Sequence, residues 1–259
     1  MFKDGLVKAH NEGSRVIRKA NRKPEPRDTA LVAEAHRWFW KPTDVKFIVV
    51  AESHVYTSRK ENAVKMRLDK IQHELPEFPA DAPLRFVKLV YCLGYGISEI
   101  LDGKIEPNTG TPDYWKFFSI WTKSFRNIQE SDLQWKFRVL RAMQKYGVWL
   151  LDASCHACSI GNRIRLDTSV VEDVVSPSWE NYVGRIIEAA KPQEVWVIGK
   201  GIHDILGNLP DSLRGNYVRE PNWIYQPNFP TPRNSRIYYR KRARESKLRD
   251  TIWRVCKVP

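Results

Sequence analysis

Four short apolar runs stand out from a polar chain. They are Phe47-Ile48-Val49-Val50, Val148-Trp149-Leu150-Leu151, Val195-Trp196-Val197-Ile198 and the shorter Trp223-Ile224-Tyr225. Runs without polar alternation predict strands buried on both faces, as in a parallel α/β sheet. Helical patterns lie between them. One runs over 28–40, capped by Asp28 and stopped before Pro42, and a charged one over 58–75. An aromatic helix opens at Asp113 and reaches about residue 125; others cover 132–146 and 178–190, and another starts at Ile202. Residues 85–92 read equally as a strand or as the start of a helix continuing to Leu101, with Gly94 and Gly96 marking a turn. No repeat and no linker divides the chain. The simplest account is one domain over 1–259: a three-layer α/β/α fold with a central, mostly parallel four-stranded sheet. A basic helical arm (about 1–28) and a basic C-terminal helix (about 236–259) would flank it. The arm reads as well as a solvated surface as it does as a DNA contact.

Each apolar run stops at polar residues. Glu52, Ser53 and His54 follow the first, and Asp152, Ser154, Cys155, His156 and Cys158 the second. Gly199-Lys200-Gly201 follows the third; its free backbone N–H groups would suit a phosphate. Gln226 opens a proline-rich loop through Asn228, Phe229 and Arg233 after the fourth. In open α/β sheets, ligands sit outside the carboxyl ends of the strands, so these groups should share one crevice, with Glu52 and Asp152 as a carboxylate pair. Three prolines make the last loop stiff.

Cys155-His156-Ala157-Cys158 invites a metal reading, but Cys92 and Cys256 are single and distant. Buried thiols are the better account, and no metal or cofactor is expected. A P-loop and the H-x-E…P-C-x-x-C of zinc deaminases are both missing.

Lys and Arg number 43 against 30 Asp and Glu, a formal net charge of +13. That excess implies a polyanionic partner, with nucleic acid, and DNA in particular, as first choice; a membrane surface or a ribosome would give the same balance. No run of about 18 apolar residues predicts a membrane span. Four cysteines and an N-terminus without an apolar core predict a reducing, cytoplasmic setting. A monomer is expected.

Taken together, the strand ends resemble the uracil-DNA glycosylase superfamily. Ala51-Glu52-Ser53-His54-Val55 stands where its first motif places a G-[EQ]-x-P-G or G-Q-D-P-Y type turn. Gln226-Pro227-Asn228 stands at its H-P-S motif, followed by the loop that enters the minor groove, and Asp152 ends the strand that carries the base-reading Asn or Asp. Tyr114-Trp115 and the run 147–152 look like the hypoxanthine-type branch. The likeness spans about residues 45–232. Ala51 replaces Gly, His54 replaces Pro, Gln226 replaces His and Asn228 replaces Ser, so the imidazole that would stabilise a departing base is missing at 226.

The resemblance implies a monofunctional hydrolase that cleaves the N-glycosidic bond of a flipped base and leaves an abasic site. Glu52 would position the attacking water and stabilise the sugar cation, and Asp152, Ser53, His54, Val55 and Tyr56 would surround the base. Gln226, Asn228, Phe229, Arg233 and Lys200 would hold the DNA. Uracil-specific members carry Tyr where Val55 stands; Val leaves room at C5. An acceptor-only Asp152 suits the amine of cytosine. The favoured substrate is therefore a modified cytosine, such as the glucosylated hydroxymethylcytosine attacked in phage defence. Uracil or hypoxanthine repair and a catalytically inactive DNA-binding protein on the same fold are the alternatives.

Overall fold

The apolar runs pair side by side into one parallel sheet. In the computed structural model, which describes residues 2–160, 164–210, 222–227, 232 and 235–259, β1 (Phe47–Ala51) lies between β2 (Val148–Asp152) and β5 (Glu194–Ile198). β6 (Trp223–Ile224) adds outside β5, so the order is β2-β1-β5-β6, all parallel. Register places Ala51 beside Asp152 and Val50 beside Val197, so the strand ends are level. Every residue of β1 and β2 is buried.

Helices cover both faces. Trp149, in register with Ile48, faces α2 (Arg27–Phe39): its Nε1 donates to the Arg37 carbonyl at 3.2 Å, and Trp38 packs edge-on at 5.3 Å. Trp196, in register with Val49, faces the opposite way, where Lys247 of the C-terminal helix lies 5.7 Å from its ring. Alternation along the strands thus gives each face its own helical layer, and the buried apolar side chains form one contiguous cluster.

Helices α3 (Arg59–Ala63), α4 (Leu68–Glu74), α5 (Pro112–Thr122) and α6 (Asp132–Tyr146) come between β1 and β2. Helix α6 matches its predicted span because its ends are written locally. Ser131 and Gln134 form a reciprocal capping box, and Gly147 ends it at φ 81°, where a Cβ would lie 2.6 Å from the Asp44 carbonyl oxygen. A small antiparallel pair, β3 (Ser159–Ile160) with β4 (Ile164–Arg165), follows β2 and is pinned to Val55 through Ser159. Helix α7 (Thr168–Ser178) runs through a π-helical turn (Trp179–Val183) just after Pro177 into α8 (Gly184–Ala190), starting ten residues before the predicted position. Helix α9 (Lys200–Asn208) follows β5, and α10 (Arg236–Cys256) closes the chain.

Four expectations need correction. The helix predicted over 58–75 is two short helices, because the chain between them pairs with distant segments: Lys65 with Arg85, and Met66 with Leu101. Residues 85–92 form neither strand nor helix beyond that bridge. Asp28 lies inside the first turn of α2 and makes no cap. The largest change concerns the N-terminus. Helix α1 (Phe2–Lys19) buries Leu6, Ala9, His10, Gly13, Ser14 and Ile17 and packs on α7 and the π-turn, so it is part of the folded body and not a solvated arm. The contact is close: a Cβ on Gly13 would fall 2.7 Å from the His156 ring.

Candidate active site

The strand order reverses direction at β1: the chain moves out to β2, then returns across β1 to β5. A crevice is expected at such a switch point, outside the carboxyl ends of the strands. One of about 650 Å³ opens there. Its rim takes Glu52 and His54 from the end of β1, Asp152 from β2, Gly199 and Lys200 from β5 and α9, and Tyr225 and Gln226 from β6. Three segments not foreseen at the site complete it: Lys88, Leu89 and Val90 from the irregular stretch after α4, Thr111 and Tyr114 at the start of α5, and Arg165 from β4. The volume fits a nucleotide-sized ligand.

Among the described residues, every cation on this wall has a carboxylate partner. Arg165 grips Glu52 with two guanidinium nitrogens, the Nε–Oε1 contact being 3.1 Å. Lys88 meets Glu61 at 2.5 Å, and Lys200 pairs with Asp204 one turn along α9. The Glu52 side chain is only 12% exposed while that of Arg165 is 49% exposed, so the carboxylate is sheltered and the guanidinium is the part that solvent reaches.

Behind the crevice lies a buried charge chain. Asp152 Oδ2 accepts from Arg37 at 2.7 Å and sits 3.2 Å from His54 Nδ1. The other nitrogen of His54 is 2.6 Å from Glu25 Oε2, and Glu25 Oε1 accepts from the Thr57 backbone N–H at 2.8 Å. Arg37 also pairs with Glu34, which accepts from Tyr182 Oη at 2.7 Å. A histidine between two carboxylates is stable as an imidazolium. Burial alone would lower its pKa, but the Glu25 charge and the hydrogen bonds to Asp152 and Glu25 raise it to about 9. Burial would likewise raise Asp152, yet Arg37 and His54 hold its carboxyl below the usual range. Asp152 therefore stays ionised and acceptor-only at neutral pH.

Polar groups on the far wall are also committed. Burial pushes the Tyr114 phenol well above its ordinary pKa, so it stays a neutral donor, and its Oη donates to Gln226 Oε1 at 3.4 Å. Gly199, at φ 100°, brings the backbone against Gln226: a Cβ there would lie 3.3 Å from Gln226 Nε2.

The sequence-predicted residues thus divide. Glu52, Ser53, His54, Val55, Asp152, Lys200 and Gln226 all line the crevice. His54 does so with both ring nitrogens already engaged, and Ser53 Oγ accepts from the Cys158 backbone N–H at 2.9 Å, so both act as supports. Tyr56 does not line it; its backbone N–H donates to the Ser159 carbonyl at 3.2 Å. Asn228, Phe229 and Arg233 lie outside the described residues. Cys155 and Cys158 are buried free thiols that burial pushes up to about 12. Among the described residues, no three His, Cys, Asp or Glu side chains converge as a metal set, and no helix is long and apolar enough to cross a membrane.

Arg165 had a readable signal: in the sequence, three residues beginning Gly161-Asn162 separate Ser159-Ile160 from Ile164-Arg165, a spacing and composition that favour a hairpin. Arg37 and Glu25 had none, since a charged residue on a helix or loop reads as exposed. No family model, curated protein or solved structure matches the chain.

Proposed function

We propose that this crevice binds a nucleotide flipped out of DNA and that the protein hydrolyses its N-glycosidic bond, with a modified cytosine as the favoured base. The observation that carries this reading is the pairing of two carboxylates of different character at level strand ends. Asp152 is kept ionised from behind by Arg37 and His54, and so offers an acceptor to an exocyclic amine. Glu52 is the sheltered carboxylate at the end of the neighbouring strand, where it would orient water and stabilise the positive charge that develops on the sugar. Tyr114 and Tyr225 supply aromatic surface on the opposite wall, and Lys88, Lys200 and Arg165 supply cations for phosphates.

In this mechanism Arg165 leaves Glu52 for a phosphate oxygen when the nucleotide enters. Glu52 then gains a free lone pair for water, and Arg165 keeps an anionic partner. The two lysines that line the crevice are both ion-paired, Lys88 with Glu61 and Lys200 with Asp204, so in this reading the sugar carbon is attacked by water and not by an amine. The test is base release from matched single- and double-stranded DNA carrying cytosine, 5-hydroxymethylcytosine, its glucosylated form, uracil or hypoxanthine. Release of a cytosine derivative supports the proposal; release of uracil alone overturns the cytosine assignment.

The Glu52–Arg165 pair also favours a second reading. Both carboxylate oxygens are occupied and position 226 has no imidazole, which suits a protein that holds nucleic acid without cutting it. DNA bound with no base released from any substrate would select that reading.

A further inference from the structure

A second concavity, of about 730 Å³, lies beside α1 and the turn that joins it to α2. Its cations come from three elements. Arg15 and Arg18 are three residues apart on α1, Lys23 and Arg27 lie in and just after the turn, and Arg59 opens α3. All five are exposed, and none makes a side-chain hydrogen bond or ion pair among the described residues. Two carboxylates share the wall. Glu25 is buried, with both oxygens taken by Thr57 and His54, and Asp28 is exposed. The positive charge of the cup is therefore largely uncompensated.

The floor adds a second observation. His10 is only 5% exposed and lines the cup; its Nε2 donates to the Glu25 carbonyl at 3.2 Å, while its Nδ1 has no partner. A buried ring nitrogen without a partner is costly. Burial, with the Arg27 and Arg18 charges, holds the ring's pKa below its ordinary value; an anion in the cup would offset those two charges and favour the protonated ring, whose Nδ1–H then has an acceptor to find. Apart from this imidazole, no aromatic side chain lines the cup among the described residues, so it has no platform on which a base could stack. Its concave form differs from the extended stripe that tracks a duplex backbone. We propose that the cup is a binding site for a compact anion carrying two or more phosphate groups, no larger than a nucleoside triphosphate.

The experiment is calorimetric titration of the full chain with inorganic triphosphate and with ATP at moderate salt, beside a short unmodified DNA strand. Arg15→Gln with Arg18→Gln removes two charge-assisted contacts from exposed positions and is expected to weaken triphosphate binding by about tenfold or more. Arg59→Gln, on a separate element, should weaken it in the same direction should the double variant be poorly folded. Arg240→Gln removes one charge from the exposed face of α10, and Lys200→Gln removes one from the crevice; each should leave the affinity within about twofold. No triphosphate binding at millimolar concentration would overturn the proposal. So would equal weakening by Arg240→Gln, a larger loss with Lys200→Gln than with the cup variants, or binding of DNA alone.

Discussion

The crevice at the strand ends and the cup beside α1 have similar volumes, about 650 and 730 Å³, yet they hold charge in opposite ways. In the crevice every cation is answered: Arg165 by Glu52, Lys88 by Glu61, Lys200 by Asp204. In the cup five cations are held out to solvent without partners among the described residues. A paired wall can change partners at little electrostatic cost, so it suits a site where a charged ligand comes and goes and a carboxylate must be freed at the right moment. An unpaired wall attracts an anion steadily and competes with nothing inside the protein. Both rest on Glu25 and His54: Glu25 lines the cup, and His54 passes its carboxylate's influence to Asp152 in the crevice.

The largest expected effect comes from cutting that shared chain. Arg37→Met leaves Asp152 and Glu34 as buried carboxylates without their guanidinium. Breaking a buried pair from one side costs about 3–5 kcal/mol. Urea unfolding should show a loss of that order, and a loss below about 1 kcal/mol would mean that water reaches Asp152 and that the chain is not the rigid support described. By contrast, Arg15→Gln in the cup should change stability by no more than about 0.5 kcal/mol.

The next effect is a pH dependence with a defined window. His54 is raised from 6.5 to about 9, so its contribution is fully present below pH 6.5 and is lost as pH rises through 9. The shift corresponds to about 3 kcal/mol between those limits. Other buried groups act outside the window. Burial pushes His36 and His156 down to about 4 and 3, so they matter below about pH 7; it pushes the thiols of Cys92, Cys155, Cys158 and Cys256 up to about 11–12, so they matter from about pH 8 upward, where thiols of the unfolded chain begin to ionise. Unfolding free energy measured from about pH 7 to 8 should fall in the native chain and stay nearly flat in His54→Gln. Parallel slopes in the two proteins would place the imidazolium elsewhere.

The third effect bears on the proposed chemistry. Glu52→Gln keeps the shape and one of the two acceptor oxygens while removing the charge that would orient water. Base release should fall by about a hundredfold or more with DNA affinity retained. Turnover close to normal would remove Glu52 from the mechanism and leave the crevice as a binding site.

How much of this was legible depended on the range of the forces involved. The sheet was readable because β1, β2 and β5 are short apolar runs that only a doubly covered strand can accommodate, and α6 because Ser131, Gln134 and Gly147 encode its ends locally. The crevice followed from those strand ends. What stayed hidden was set by tertiary contact. Leu6, Ala9, Gly13 and Ile17 do follow a helical period, but the charges of Arg15, Arg18 and Lys19 mask the buried face. Residues 64–67 break a helix that local pattern favours because Lys65 and Met66 find partners at Arg85 and Leu101. No pattern along the chain marks Arg37 or Glu25 as buried: Glu34, three residues before Arg37, reads as an ordinary surface pair, and the charges that complete the chain, Asp152 and His54, lie 115 and 29 residues away.

The smallest expected effect sharpens the comparison most directly. Arg165 is half exposed, so its pair with Glu52 should add no more than about 1 kcal/mol to stability, and Arg165→Gln should unfold at nearly the same urea concentration as the native chain. Its effect on the proposed reaction has two separable parts. Removing the guanidinium frees Glu52 in the empty protein, which by itself would favour water activation. It also removes the cation that would receive a phosphate, which weakens substrate binding. The variant should therefore raise KM by about tenfold while kcat falls less than in Glu52→Gln, and its affinity for DNA should depend less steeply on salt by about one counterion. An unchanged KM and salt slope would mean that Arg165 never leaves Glu52. The pair would then be a fixed strut, and the crevice would hold its ligand without the exchange of partners that distinguishes it from the cup.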